Sequence, residues 1–446
     1  MTANNQDPLW IRFLPKILRN LLEGRTSLLA AIHNSGWIFF DKILRALLGL
    51  LVGAWVARYL GPTQFGELAY CIAFIAIFQS MTNLGLDGIV VREVANHPNR
   101  ANVVLGTTFQ LRLLMGIFSW ILALVIYGVT NSFYGEGIWI IGLVGAGMIF
   151  QVADTVDLWF QGNSQSKRTV FAKASAYLLS NAIRVCLVLI EAPLIAFAGV
   201  IAVEGALTAS ALYISYRQFP TPHLWKKNHP EARNLLKESW PYLISGLSIM
   251  LYMRIDQVMI KSMLGDFELG IFSAAIPISN LWNMIPMAIC ASIAPFIARK
   301  KLQGNEAYER ALVKMFRIFW AICIMIIVVI WLLSSSLVHL MYGHAFNKTA
   351  DVLNIYVLSC IPVFMGVGQN LWLLNEKKSN IFLLQTITGA LVCVVTNFIF
   401  LPLWGVSGAA FAAILSQVSS CFLINGIFAR PLFMMQLGFC SPQVKG

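Results

Sequence analysis

Twelve stretches of mostly apolar residues, each more than twenty residues long, run through this chain of 446 residues. A helix needs about twenty consecutive apolar residues to cross the hydrocarbon core of a bilayer. Within lipid every backbone polar group must be paired internally, so such stretches form helices. The sequence therefore predicts an all-α polytopic membrane protein with twelve transmembrane helices. The predicted spans are residues 33–57, 67–91, 101–128, 136–160, 168–190, 193–216, 239–263, 268–298, 317–340, 350–374, 380–401 and 404–429.

Charged residues are few, and they are distributed unevenly. Only 12% of residues are charged, whereas soluble domains carry about 25%, so an ordinary soluble enzyme is excluded. Of the 32 lysines and arginines, 24 fall on one predicted side of the membrane and 3 on the other. Basic loops mark the cytoplasmic side, so both termini are predicted to be cytoplasmic. The net charge of +12 therefore indicates topology and contact with membrane lipids, not binding to nucleic acid.

A repeated turn divides the chain into two halves. Leu60-Gly61 and Gly66 recur as Leu264-Gly265 and Gly270, shifted by 204 positions. Each half contains six predicted spans, so both halves enter the membrane in the same direction and the repeats are parallel. We expect two six-helix lobes around a central cavity. The predicted segments are a cytoplasmic amphipathic N-terminal segment (1–32), an N-lobe (33–216), a cytoplasmic linker (217–238), a C-lobe (239–429) and a cytoplasmic tail (430–446).

Motifs for catalysis, nucleotide binding or metal binding are lacking in the sequence. It contains no GxxxxGK[ST] phosphate loop and no HExxH pair. Its eight cysteines form no CxxC pair, and seven of them lie in apolar runs. We therefore expect no enzyme activity, no metal and no bound cofactor, and ATP hydrolysis by this chain cannot supply energy for transport.

Seven charged residues lie well inside predicted spans. A charge at the centre of a membrane helix costs about 2.5–3.5 kcal/mol on insertion scales, so such residues usually face water, substrate or a partner. Asp41 and Arg45 are one turn apart and can pair along their helix. We expect this set to line a polar cavity charged on one wall, because the last five spans carry almost no mid-span charge. Within it, Arg254 and Asp256 are two residues apart and point about 200° apart, so we expect Arg254 to face the cavity and Asp256 to pair with another helix. The set consists of Asp41, Lys42, Arg45, Arg184, Glu204, Arg254 and Asp256.

Helix-to-helix salt bridges are the alternative interpretation of charges inside the spans. We favour this structural role for a second set, whose members lie nearer the predicted cytoplasmic ends of their helices and can reach the interface. That set consists of Asp87, Arg112, Asp154 and Asp157.

Three segments resemble one transporter family. The segment from Tyr252 through Leu264-Gly265 to the Gly270-Ile-Phe-Ser-Ala-Ala stretch is similar to bacterial polysaccharide (O-antigen type) flippases. These form the Wzx-type branch of the multidrug/oligosaccharidyl-lipid/polysaccharide (MOP) exporter superfamily. The segments that begin at Arg58 and Asn83 also resemble that family's first helical hairpin. The resemblance implies a MATE-like fold and translocation of an undecaprenyl-pyrophosphate-linked oligosaccharide across the bacterial inner membrane.

A pyrophosphate substrate suggests roles for the charged residues. We expect Arg254 and Lys42 to contact the pyrophosphate, supported by Arg45 and Arg184, because arginine and lysine both suit phosphate. The three carboxylates would balance these cations and carry a coupling ion, H⁺ or Na⁺; they are Asp41, Glu204 and Asp256. Expected partners are the polyprenyl-pyrophosphate-linked glycan, membrane lipids, and the polysaccharide polymerase and chain-length proteins.

Two other functions remain open at this point. A cation-coupled multidrug antiporter could share this fold, but it would favour an acidic cavity, whereas the predicted set is balanced to slightly basic. A membrane glycan polymerase or ligase normally needs a large outside loop. Here no predicted outside loop exceeds about a dozen residues.

Overall fold

The computed structural model describes residues 26–131, 133–219, 225–376 and 378–439, and the described chain is helical with no strand. We number its α-helices in chain order. They are α1 (Thr26–Thr82), α2 (Asp87–Asn96), α3 (Ala101–Thr130), α4 (Glu136–Phe150), α5 (Asp154–Gly162), α6 (Ser166–Leu189), α7 (Leu194–Gln218), α8 (His229–Leu264), α9 (Asp266–Asn280), α10 (Met284–Gln303), α11 (Asn305–Tyr342), α12 (Lys348–Tyr356), α13 (Cys360–Asn375), α14 (Ser379–Val418), α15 (Ile424–Phe428) and α16 (Arg430–Gln436).

Ten helical stretches in the described chain are long and apolar enough to cross a membrane. Two of the ten are each divided by a glycine with positive φ, Gly61 (φ 71°) in α1 and Gly405 (φ 57°) in α14. A left-handed backbone ends a helical segment, and glycine adopts it without a Cβ clash. Divided at these glycines, the ten stretches become twelve segments. The predicted all-α membrane class is confirmed, whereas the described chain has ten membrane-length helical stretches, two of them divided by a glycine, in place of twelve separate ones.

The predicted segment boundaries fall partly outside the described residues. Of the N-terminal amphipathic segment, residues 1–25 are not described, and α1 is helical from Thr26. Helix α8 begins at His229, so the last ten residues of the predicted linker are already helical. Just before it, the Lys226 amide donates to the carbonyl of Asn102 (3.2 Å), which holds the linker against the start of α3.

The repeated glycine turns of the two halves pack against each other. A Cβ added at Gly66 would lie 1.9 Å from the carbonyl oxygen of Asp266, and one at Gly270 would lie 1.9 Å from the carbonyl oxygen of Pro62. Residues 62 and 66 correspond to 266 and 270 under the shift of 204, so the contact is reciprocal. Reciprocal contact of one patch with its own copy is the signature of two-fold symmetry. We call this contact the glycine seam.

Helix α8, which ends just before the glycine seam, makes a second close contact with the first half. A Cβ added at Gly85 would lie 2.7 Å from the amide nitrogen of Leu243 and 2.9 Å from the carbonyl oxygen of Ser239. Arg254 lies eleven residues after Leu243 and eleven before Gly265, or about 16 Å along the helix from each. The fold therefore places Arg254 midway between two close contacts of the halves.

Short 3-10 turns interrupt three of the predicted spans. Gln151–Ala153 divides the fourth span and Val357–Ser359 divides the tenth, so corresponding spans of the two halves break at nearly corresponding positions. A third turn, Leu281–Asn283, divides the eighth span between Pro277 and Pro286. Because proline removes a helical hydrogen bond, a bend is expected there. The bends redirect polar residues such as Gln151 and Asp154 toward the interior.

Candidate functional site

A polar cavity of about 560 Å³ lies between the helices of the first half, and α8 contributes one residue, Arg254, to its wall. Five of the seven charged residues predicted for a cavity line it. These are Asp41, Arg45, Arg184, Glu204 and Arg254. The apolar part of the wall comes from α1, α4 and α7 and includes Ile75, Met148 and Ile201. The charged and the apolar walls therefore both belong mainly to the first half.

A chain of ion pairs links three helices along one wall. Arg45 Nε donates to Asp41 Oδ2 at 2.9 Å, one turn back in α1, and Arg45 Nη1 lies 4.0 Å from Glu204 Oε1 of α7. Arg184 of α6 donates to Glu204 Oε2 at 2.7 Å. Ser180, one turn before Arg184, also donates to Glu204 Oε2 (3.0 Å). Two carboxylates and two guanidinium groups thus neutralise one another and tie α1, α6 and α7 together.

Tyr177 fixes the orientation of Arg45. The guanidinium carbon lies 4.6 Å from the centre of the Tyr177 ring, which is a cation–π contact. The Tyr177 hydroxyl donates to the backbone carbonyl of Arg45 at 3.0 Å. With Asp41 on one side and Tyr177 below it, the Arg45 side chain is held in one position on the cavity wall.

A second ion-pair cluster closes the wall near the 3-10 turn of the fourth span. Lys173 Nζ lies 2.7 Å from both Asp154 Oδ1 and Asp157 Oδ2 at the start of α5. The structural role predicted for these two aspartates is consistent with this geometry, and Arg112 likewise pairs with Asp87.

Lys173 was not among the residues predicted for the cavity. It lies in the predicted fifth span, and the structure places it on α6 and on the cavity wall. The pattern that reveals it is a polar stripe at helical spacing, formed by Lys173, Tyr177, Ser180, Asn181 and Arg184.

Arg254 has no ion pair in the described part of the chain. Its Nε atom is buried and has no hydrogen-bond partner there, while the side chain lines the cavity. Leaving a buried donor unsatisfied costs about 1–3 kcal/mol, and more when the group is charged. Every other cation that lines the cavity in the described chain is paired with a carboxylate. Arg254 is therefore the group in the cavity best suited to accept an anion.

Asp256, two residues further along, faces away from the cavity. Its side chain is buried, it is absent from the cavity wall, and its Oδ1 accepts a hydrogen bond from the amide of Gln257 at 2.7 Å. Two residues along a helix are about 200° apart, so Arg254 and Asp256 cannot share one face. We expected Asp256 to pair with another helix, but the described residues provide no such ion pair.

Lys42 is likewise not brought to the cavity. It is exposed and does not belong to the wall, because one residue turns the helix by about 100° away from Asp41. By the same geometry it lies on the side of α1 roughly opposite the exposed apolar residues Phe40, Leu47 and Leu51. Lys42 therefore points away from the lipid-facing stripe and lies outside the set of residues that contact the cavity.

Uncharged polar groups complete the lining. Gln79 and Thr208 reach the cavity, and Gln151 is held by Thr82, whose hydroxyl donates to Gln151 Oε1 at 2.8 Å. In total, the cavity wall contains four basic side chains, three of them paired, and three carboxylates. A cavity that is slightly basic and carries one free guanidinium attracts anions more strongly than cations.

The sequence and the fold have counterparts in known proteins. A family model described as "Polysaccharide biosynthesis protein" matches residues 31–301, and a second model, MatE, matches residues 241–422. The chain is 21% identical over 356 residues to a Shigella flexneri protein named "Putative O-antigen transporter", which covers 74% of this chain and 81% of that protein.

Solved structures show the same fold. One is an inward-facing multidrug resistance MATE family transporter of the MOP superfamily, with a TM-score of 0.73, 16% identity, and coverage of 88% of this chain and 96% of that chain. Another is the lipid II flippase MurJ in an inward closed conformation, with a TM-score of 0.70, 14% identity, and coverage of 91% and 90%. These similarities confirm the predicted MATE-like fold class.

Proposed function

This chain belongs to the polysaccharide biosynthesis protein family, and we propose on that premise that it is a flippase for a lipid-linked oligosaccharide. It is a multi-pass membrane transporter of the MOP superfamily. The proposed cargo is an undecaprenyl-pyrophosphate-linked oligosaccharide, moved across the bacterial inner membrane for surface polysaccharide synthesis. A matched family described as polysaccharide biosynthesis and a relative named as an O-antigen transporter support this cargo.

The observation that carries the proposal is the unpaired guanidinium of Arg254. A pyrophosphate cannot cross hydrocarbon unaided, because the free-energy cost of removing its charges from water is very large unless other groups pair with them. Arginine binds phosphate through two parallel donors, so a free guanidinium at mid-membrane depth provides a bidentate site. The long polyprenyl tail is apolar and can remain in the bilayer while the headgroup occupies the cavity.

The paired cations play a different part from Arg254. Arg45 and Arg184 are held by Asp41 and Glu204, so they supply positive potential and a rigid wall. An incoming pyrophosphate would compete with these carboxylates for the guanidinium groups. Substrate binding would thus weaken the ion pairs that hold α1, α6 and α7 together. In this way binding would change how these helices of the first half pack.

Asp41 is the proposed site of the coupling ion. Its Oδ2 binds Arg45, while its Oδ1 is buried without a hydrogen-bond partner. A buried carboxylate oxygen with no partner is a site for H⁺ or Na⁺. Glu204 already has several donors, and Asp256 lies outside the cavity, so we assign the main coupling role to Asp41.

The proposed cycle is alternating access around the two contacts of the halves. When the glycine seam is closed, the cavity would be reached from the cytoplasmic side; separation of the seam would expose it to the outer side. The proposed topology has both termini in the cytoplasm. The polymerase and chain-length proteins would act on the glycan after its release.

Transfer between leaflets of proteoliposomes tests the proposal. Purified wild-type protein should move an undecaprenyl-pyrophosphate oligosaccharide from its own glycan cluster, and Arg254→Ala should lower the rate about a hundredfold. That figure follows from two charge-assisted hydrogen bonds of about 1.5 kcal/mol each. Arg254→Lys should retain part of the rate, since lysine keeps the charge and loses the bidentate geometry.

The control is Arg233→Ala, which removes an exposed arginine from the start of α8. It should transport at the wild-type rate, and both variants should reach normal levels in the membrane. If wild type transfers no lipid-linked glycan but exports cationic dyes against a gradient, the protein is a multidrug antiporter instead. A folded Arg254→Ala that transports fully would remove Arg254 from the mechanism.

A further inference from the structure

A second cavity of about 520 Å³ lies in the second half of the chain, between α10 and α11. These helices form a hairpin with a single connecting residue, Gly304 (φ 130°), on the predicted cytoplasmic side. Apolar side chains of both helices form most of the lining. They are Ile289, Ile293, Phe296, Ile297, Met315 and Ile318. We call this cavity the hairpin groove.

Three basic side chains stand at the end of the hairpin groove nearest to the turn. They are Lys300 of α10 and Arg310 and Lys314 of α11. Lys314 is exposed and has no ion-pair or hydrogen-bond partner in the described chain. Lys300 donates to the neutral Gln303 (2.9 Å) and lies 5.6 Å from the centre of the Phe296 ring, and Arg310 shares its charge with Glu306, one turn back. The groove is thus apolar along its length and positively charged at one end.

An exposed apolar stripe follows the cations on the same face of α11. Arg310, Lys314, Ile318, Met325 and Leu332 follow one another at intervals of four or seven residues, so they share one side of the helix. Ile318, Met325 and Leu332 are 45%, 60% and 77% exposed. From Lys314 to Met325 the helix rises about 16 Å, close to half of the roughly 30 Å hydrocarbon core.

We propose that the hairpin groove binds an anionic phospholipid of the cytoplasmic leaflet. Its phosphate would contact Lys300, Arg310 and Lys314, and an acyl chain would lie along the groove and the stripe that follows it. The order of groups along α11, cations and then apolar surface for the depth of one leaflet, matches the order of groups in such a lipid. Basic residues next to a membrane helix attract anionic headgroups in the same way.

Charge complementarity selects a phospholipid over other occupants. An apolar peptide would leave Lys300 and Lys314 without an anion, and a neutral lipid would gain nothing from them. The polyprenyl-linked substrate also carries phosphate, but the groove is separate from the cavity that contains Arg254: no residue lines both. The site therefore acts independently of transport, as an attachment of the second half to its surrounding lipid.

The test uses the full-length protein in nanodiscs and a photoactivatable phosphatidylglycerol, with the crosslinked residues identified by mass spectrometry. We expect crosslinks on Ile289, Ile293 and Ile318, enriched about tenfold over photoactivatable phosphatidylcholine. The variant Lys300→Gln/Arg310→Gln/Lys314→Gln should lose this enrichment. Its matched control, Lys226→Gln/Lys227→Gln/Arg233→Gln, removes the same charge from exposed linker and helix-start positions and should keep it.

A second variant separates the apolar groove from the cations. Ile293→Trp fills the lining between Ile289 and Ile297, so it should reduce crosslinking inside the groove while the basic rim remains intact. Equal labelling by the two lipids would overturn the proposal. So would an equal loss of enrichment in the triple glutamine variant of the groove and in its linker control. Efficient displacement of the phosphatidylglycerol by an undecaprenyl-pyrophosphate glycan would instead assign the groove to the substrate and also refute it.

Discussion

Adding one methyl group at Gly66 should separate the two halves at the glycine seam. The new Cβ would lie 1.9 Å from the carbonyl oxygen of Asp266 and 2.8 Å from the amide nitrogen of Gly270, whereas real Cβ atoms essentially never come within 3.0 Å. The halves must therefore move apart by more than about 1 Å. Both groups in the clash are backbone, so no side-chain rotation can relieve it.

The size of the effect follows from known overpacking. An extra methyl group in a close-packed contact costs about 1–3 kcal/mol, and the two rigid backbones place Gly66→Ala at the upper end. About 3 kcal/mol corresponds to a shift of roughly a hundredfold in the equilibrium between closed and separated seams. Helix propensity works in the opposite direction by at most about 1 kcal/mol, since alanine favours a helix over glycine.

Distance measurement between spin labels provides the assay. Labels at Thr63→Cys and Phe267→Cys flank the seam, and both side chains are exposed. Cys186 is exposed and Cys440 lies outside the described residues, so both are first replaced; the other six thiols are buried. Gly66→Ala should raise the fraction of long label-to-label distances and reduce transport.

Gly53→Ala is the matched control, because Gly53 lies on the same helix, α1, and a Cβ there meets nothing within 4 Å. It should leave the distance distribution unchanged and slightly raise thermal stability. Gly270→Ala should reproduce the effect of Gly66→Ala, since the contact is reciprocal. Identical distance distributions in Gly66→Ala and Gly53→Ala would refute the reasoning.

Exchanging the charges of Arg254 and Asp256 (Arg254→Asp with Asp256→Arg) should not restore transport, because the two side chains lie on different faces of α8; recovery to the wild-type rate would show that they act as one pair. Arg184→Ala should lower the free energy of unfolding by about 2 kcal/mol, since it removes the shortest hydrogen bond to Glu204, whose carboxylate keeps Ser180 and the longer contact with Arg45, and thermal unfolding in detergent measures this loss. A reporter fused at Tyr134 should be active on the outer side, and one fused at Lys227 in the cytoplasm, whereas the opposite pattern would invert the proposed topology.

Several features of the functional site could be predicted from the sequence because they depend on helical periodicity. Asp41 and Arg45 are four residues apart, so any helix through them brings the two side chains together. Arg254 and Asp256 are two apart, so one of them had to face away from the cavity. The repeated glycine turns predicted two related halves. Such turns can be recognised in the sequence because glycine adopts a left-handed backbone without a Cβ clash.

The place of Lys173 on the cavity wall was not predicted, for a physical reason. Positive residues near the ends of spans are ordinarily assigned to the cytoplasm, and the sequence alone does not show that α5 presents two aspartates at the same depth. The ion pairs with Asp154 and Asp157 exist because a 3-10 turn redirects the fourth span. A short turn of this kind depends on packing between helices, so the hydropathy of the sequence does not predict it.

The sequence by itself determined that this chain crosses a membrane and has two related halves. It also determined that the charges inside the spans must pair with one another or face water or substrate. Length, apolar composition and spacing along a helix suffice for these conclusions, since each depends on one helix at a time. The tertiary structure decided which charges neutralise one another. Glu204 forms ion pairs with both Arg45 and Arg184, whereas Arg254 has no ion-pair partner in the described chain. That outcome depends on the relative positions of helices distant in sequence, and only packing between them sets those positions.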